Sequence, residues 1–153
     1  SDLKDGEKLL ALADTYYYGD EVKKDINSAI FLYEQAASKG NETAQFMLGV
    51  IHYKKEKGVK NYKKSVHYLK KAAKTGHVKA MYNLGQAYRY GEGVSKNMRK
   101  SKKYYKTAAK KGHKPSIKTM EYLNKSNKLT RKQNKNLTKD IHAIFKEKCM
   151  NKC

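Results

Sequence analysis

Five histidines, two cysteines and fourteen carboxylates are the side chains with which this chain of 153 residues could run a reaction or hold a metal. Their spacing favours neither. His52, His67, His77, His113 and His142 are scattered, with no pair of histidines flanking a glutamate on one helical turn and no serine, cysteine and acid arrangement that would activate a nucleophile. Cys149 and Cys153 are four apart, the interval at which two thiols on a helix can pair or share a soft metal. No second pair of ligands lies nearby, and zinc wants four, so both read as inert terminal thiols. No catalytic, cofactor or metal site is expected, and the chain reads as non-enzymatic.

What remains is recognition chemistry. There are thirteen tyrosines, and lysine and arginine together number 35 against 14 acids, a net charge of +21. The excess is uneven: residues 1–40 carry −3, 41–76 carry +7, 77–112 carry +9 and 113–153 carry +8. Such a field attracts acidic proteins, nucleic acid or anionic lipid. Against a phosphate-gripping role, the bases are 32 lysines and three arginines, whereas bidentate capture of phosphate or carboxylate favours arginine. Frequent asparagine beside lysine is also what an AT-rich coding sequence yields. No zinc-finger spacing, phosphate loop or aromatic RNA-binding signature is present.

These side chains must be positioned by helices. One proline, no tryptophan and few turn clusters before residue 124 favour an all-helical chain with short links, and the length suits one folding unit. No apolar run approaches the ~18 residues that span a bilayer, and SDLKDGEKLL lacks a signal-peptide layout. The expectation is a cytoplasmic protein if the chain is complete, and a periplasmic or secreted one if a leader has been removed.

The chain repeats itself. FLYEQAASKG (31–40), HYLKKAAKTG (67–76) and KYYKTAAKKG (103–112) stand at an offset of 36, and Leu12, Leu48 and Leu84 obey the same offset. A unit this short cannot bury its apolar face alone, so stacked helical pairs are implied. First helices are expected around 6–18, 42–54 and 78–90. The small residue after each leucine, Ala13, Gly49 or Gly85, marks a close helix approach, because a glycine inside a helix costs ~1 kcal/mol relative to alanine. Second helices should start after the capping residues Asp25, Asn61 and Asn97 and end at Gly40, Gly76 and Gly112.

Residues Ala80, Leu84, Gly85, Tyr88, Gly91, Gly93, Val94, Ser101, Tyr104, Tyr105, Ala108, Ala109 and Gly112 carry a pattern that resembles the Sel-one-like repeat (SLR) family, relatives of the tetratricopeptide repeats. The second repeat departs from it: His52 replaces the tyrosine, loop glycines are displaced, and a residue is added before Val59 and removed before Ser65. The first has Ala13 and Glu21 in place of glycines. The resemblance covers about residues 5–112 and implies an all-α, right-handed α-solenoid of three helix-turn-helix repeats (5–40, 41–76, 77–112). A C-terminal capping helix at 114–125 completes a solenoid domain at 1–128. Within KSNKLTRKQNKN a hinge is expected, followed by a basic amphipathic helix in 129–153 carrying Leu137, Ile141, Ile144 and Phe145, with Thr130 or Thr138 as its cap.

The resemblance also places a concave face on the first helices. Its positions are Leu10, Asp14, Tyr17 and Tyr18; Phe46, Val50, Tyr53 and Lys54; Tyr82, Gln86, Arg89 and Tyr90; and Lys118 and Tyr122 on the capping helix. Tyrosine supplies broad apolar area with a polar tip, and neighbouring lysine or arginine suits a partner with an acidic or carboxylate-bearing segment. The implied function is an adaptor or scaffold binding another protein. Bacterial relatives include host-interaction factors and immunity proteins that neutralise a toxin. Two other classes stay open: an electrostatic binder of nucleic acid or anionic membrane, and a structural protein that self-associates through its C-terminal helix.

Overall fold

A computed structural model describes residues 2–54 and 61–150, with side chains as far as 147. It contains α1 (Asp2–Tyr18), α2 (Ile26–Ser38), α3 (Glu42–Tyr53), α4 (Tyr62–Lys74), α5 (Val78–Tyr90), α6 (Met98–Lys110) and α7 (Lys114–Met150), and no strand among the described residues. Two compact units result, Ser1–Ile117 and Lys118–Cys153. In the first, α1 packs on α2, α3 on α4 and α5 on α6, and each pair stacks on the next through α2 with α3 and α4 with α5.

The punctuation is chemical. Asp25, Asn61 and Asn97 each accept a hydrogen bond at the start of α2, α4 and α6, from the backbone N–H of Ser28, Lys64 and Lys100. One position opens the first helices in the same way: Asn41 Oδ1 accepts from Ala44 N–H at 2.8 Å, and His77 Nδ1 accepts from Ala80 N–H at 3.2 Å. The equivalent His113 pairs through Nδ1 with Ser116 Oγ at 2.8 Å. His77 is thus a helix cap, and His113 sits at the matching place before α7.

Two core clusters form between successive elements. Ala13, Ala29, Tyr33, Ala36, Leu48 and Ile51 belong to one, and Val66, Leu69, Ala72, Leu84, Ala87 and Ala108 to the other. Leu48 and Leu84 occupy matching interior places, each fully buried against the preceding pair. Leu12, at the same repeat position, is 46% exposed, because α1 opens the stack and no described helix precedes it.

Gly49 and Gly85 mark the close approach their position suggests. A Cβ on Gly85 would lie 2.5 Å from Cε1 of Tyr105, and one on Gly49 would lie 2.7 Å from the Leu69 side chain. Each contact is tied by a buried hydroxyl: Ser65 Oγ donates to the Gly49 carbonyl at 2.6 Å, and Ser101 Oγ to that of Gly85 at 2.8 Å. In the first repeat Ala13 and Ala29 take these two places. Glu21 stands where the third repeat has Gly93 and adopts the same left-handed backbone, φ 59° against 76°. The irregular second-repeat loop before Val59 falls within 55–60, outside the described residues.

The expected hinge is absent: α7 runs unbroken from Lys114 to Met150. After Pro115 it contains neither proline nor glycine, and its lysines, arginine and glutamine are good helix formers, so polarity alone does not break it. Thr130 and Thr138 are interior residues, not caps, with hydroxyls donating to the carbonyls of Ser126 and Asn134 one turn back. In the second unit Leu129, Leu137, Ile141, Ile144 and Phe145 are all exposed.

Candidate functional site

A cavity of about 390 Å³ opens in the first unit where α3 and α5 lie side by side over α4. Its origin is legible at two repeat positions. At 33, 69 and 105 the chain has Tyr33, Leu69 and Tyr105, and at 14, 50 and 86 it has Asp14, Val50 and Gln86. In the outer repeats these form a pair: the Tyr33 hydroxyl donates to Asp14 Oδ1 at 2.6 Å, and the Tyr105 hydroxyl to Gln86 Oε1. Both rings are fully buried, and burial raises both phenols above their ordinary range, with Asp14 adding to the rise at Tyr33. The middle repeat replaces the pair with Leu69 and Val50, which are shorter and carry no polar atoms to join. Both line the cavity, together with Gly49.

Tyrosines from three helices form the mouth: Tyr53 of α3, Tyr62 of α4, and Tyr82 and Tyr90 of α5. The Tyr53 and Tyr62 rings are 5.3 Å apart, tilted by 47°. Tyr53 is hydrogen-bonded to the Glu92 carboxylate, and this contact, with burial second, pushes its phenol up to about 12. Tyr82 accepts from Gln86 Nε2 at 3.1 Å, so the Gln86 amide bridges Tyr82 and Tyr105. The Arg89 guanidinium lies 5.2 Å over the Tyr90 ring, a cation–π contact beside the opening. Lys54 completes the rim. The arrangement is an apolar floor under tyrosine rings, with Lys54 and Glu92 among the lining side chains.

Of the positions assigned to this face, the cavity brings together Val50, Tyr53, Lys54, Tyr82, Gln86 and Tyr90. Phe46 instead stacks on His77 at 4.5 Å, as Tyr82 contacts His113 at 5.2 Å one repeat later, so this position also serves the stack. Tyr17 requires correction as a surface residue. Only 7% of it is exposed, and its ring meets Tyr18 edge-on at 4.9 Å and Tyr33 at 6.2 Å within the first core cluster. Tyr18 is exposed, Leu10 and Asp14 are half-buried, and Lys118 and Tyr122 are exposed residues of the second unit. Sequence reasoning missed Tyr62, Asn83 and Glu92, and missed that Leu69 breaks a tyrosine series; that break was the available signal.

Residues 9–41, 43–77 and 78–113 match the Sel1 repeat family. Among solved structures the chain is similar to a Sel1 repeat protein from Oxalobacter formigenes, at 29% identity and a TM-score of 0.70, covering 76% of this chain and 88% of that one. It is similar also to c5321, a protective antigen present in uropathogenic Escherichia coli strains and displaying an SLR fold, at 30% identity and a TM-score of 0.73. That match covers 77% of this chain and 25% of c5321, so the chain spans about a quarter of the antigen's length. Helicobacter pylori cysteine rich protein B shares the fold, with 17% identity and a TM-score of 0.61 over 76% of this chain and 95% of that one. No curated protein matched. Sel1 repeats are generally non-enzymatic scaffolds that mediate protein–protein interactions. With three consecutive matching repeats, each capped and stacked on the last, the chain belongs to the Sel1 repeat family.

Proposed function

We propose that this chain is an adaptor that grips a segment of a partner protein along the α3–α5 face, with one aromatic or large aliphatic side chain seated in the cavity of about 390 Å³. The observation that carries this reading is the loss, in the middle repeat alone, of the tyrosine-and-acceptor pair that fills the same place in the repeats on either side. An apolar pocket rimmed by tyrosines is a usual anchor site of a protein interface. The partner segment carries acidic residues beside its anchor, since the second and third repeats hold +7 and +9 and Lys54 stands at the rim.

Refilling the cavity tests this. The double substitution V50Q/L69Y restores the pair used by the third repeat, so the variant should fold. Short peptides bearing phenylalanine, tryptophan or leucine among aspartates and glutamates are titrated against both proteins by fluorescence anisotropy. Binding to the refilled variant should fall about tenfold or more, with the melting temperature unchanged or raised. Equal binding by both proteins would refute the pocket. Binding that collapses with added salt and ignores the anchor residue would make the chain a polyanion binder instead.

A further inference from the structure

The first repeat offers a second apolar groove, of about 410 Å³, between α1 and α2, lined by Leu12, Tyr16, Asn27, Ser28, Phe31 and Leu32. The third repeat has the equivalent groove, and the comparison of their rims is informative. Asn27, Ser28 and Phe31 correspond to Lys63, Lys64 and His67 in the second repeat and to Arg99, Lys100 and Lys103 in the third. The first repeat thus replaces two fixed cations and a third basic residue with neutral ones, one of them an aromatic ring that is 60% exposed. Leu12, buried at its equivalents Leu48 and Leu84, is open beside it. This is also the segment of the chain with net negative charge, −3 over residues 1–40.

The other end of the chain carries the complement. On α7, Leu137, Ile141, Ile144 and Phe145 fall on one stripe by helical spacing, all exposed, while Lys128, Lys132, Lys135 and Lys139 fall on the opposite side and Lys146 borders the stripe beside Ile141 and Phe145. Such a helix is repelled by the cation-rimmed groove of the third repeat and by the basic residues at the same place in the second, and the first-repeat groove accepts it. The groove and the stripe are both apolar, and the charge around them is opposite, −3 over residues 1–40 against +8 over 113–153.

From this complementarity we infer that the chain assembles head to tail, the Leu137–Phe145 stripe of one copy docking in the α1–α2 groove of a second copy. The contact joins two different surfaces, so each copy keeps a free groove and a free tail, and assembly grows with concentration. The inference stands on surfaces separate from the α3–α5 cavity and is independent of what binds there.

Multi-angle light scattering on the full chain over a concentration series tests it, using F31K, which installs the third repeat's residue, and I141K, at an exposed helical site. Circular dichroism verifies that both fold. Wild type should show a mass that rises with concentration and falls with added salt. Each variant alone should associate about tenfold more weakly or remain monomeric. Mixed one to one, F31K supplies an intact tail and I141K an intact groove, so the mixture should form a dimer and stop there. A wild type that is monomeric throughout overturns the inference. So does a mixture that stays monomeric, or F31K associating as wild type does, which would mean that tails pair with tails.

Discussion

Replacing Gly85 by alanine probes the contact that fixes α5, and with it one wall of the cavity, against α6. The added Cβ would lie 2.5 Å from Cε1 and 2.7 Å from Cδ1 of Tyr105. That ring is fully buried and its hydroxyl is tied to Gln86, so it has little room to swing away. Overpacking of this kind costs about 1–3 kcal/mol. Separating the helices to relieve it stretches the buried bond from Ser101 Oγ to the Gly85 carbonyl, ~1 kcal/mol. Against this, alanine regains ~1 kcal/mol of helix propensity. The net expectation is a loss of about 1–3 kcal/mol, a drop in melting temperature of about 2–4 °C per kcal/mol for a chain of this size. Thermal and urea melts followed by circular dichroism measure it. S101A alone should cost ~1 kcal/mol, and G85A/S101A should cost less than the two summed by at least ~0.5 kcal/mol. The double variant has the Ala13 and Ala29 pairing that the first repeat accommodates beside Tyr33. A neutral or stabilising G85A, or strict additivity in the double variant, would refute the argument that one close contact is shared by the glycine, the serine and the tyrosine.

Two further perturbations address single positions. His52 stacks on Tyr68 at 5.8 Å and 10°, as Tyr88 stacks on Tyr104 at 5.8 Å and 7°, and its Nε2 is buried without a hydrogen-bond partner among the described residues. Burial first, and the Lys64 charge second, lower its pKa from the ordinary 6.5. The folded state therefore favours the neutral ring, and the stability this represents is present above pH ~6.5 and lost as pH falls through the lowered value. Melting temperature should fall on acidification from pH 7 to 5, and H52Y should flatten part of that slope, with His77 and His113, also lowered chiefly by burial, supplying the rest; an unchanged slope refutes the assignment. Glu21 holds a left-handed backbone at φ 59°, which disfavours a side chain by ~1–2 kcal/mol while glycine's extra unfolded-state entropy returns ~0.5–1; E21G should raise the melting temperature by a few degrees, and a lowered value would mean that the Glu21 side chain contributes more than its backbone strain costs.

The repeat period made the architecture readable because each unit restates the same local chemistry: a capping side chain at 25, 61 and 97, a left-handed glycine at 40, 76 and 112, and a small residue at 13, 49 and 85. These signals are local and need no knowledge of what lies across the core. Two readings failed for lack of such local marks. The polar run at 125–136 has the composition of a hinge, yet without proline or glycine its backbone had no reason to leave the helix. Tyr17 shares its place with Tyr53, an exposed rim residue, but its ring turns into the first core cluster against Tyr33.

The cavity shows where the remaining information lay. Reading each first helix as a list of outward positions treats Asp14, Val50 and Gln86 as three candidate contacts for a partner. Reading the same positions against the second helix, 19 residues on, shows that two of the three are already committed, as acceptors for Tyr33 and Tyr105. The position that departs is then the informative one. Val50 and Leu69 depart together, which is what selection for an empty space would require, since losing the ring at position 69 while keeping a polar acceptor at position 50 would bury an unpaired group at a cost of about 1–3 kcal/mol. A single L69Y, which restores the ring without the acceptor, should therefore be less stable than V50Q/L69Y. If the single variant proves the more stable of the two, the two positions are not a pair, and the cavity is a by-product of drift in the middle repeat.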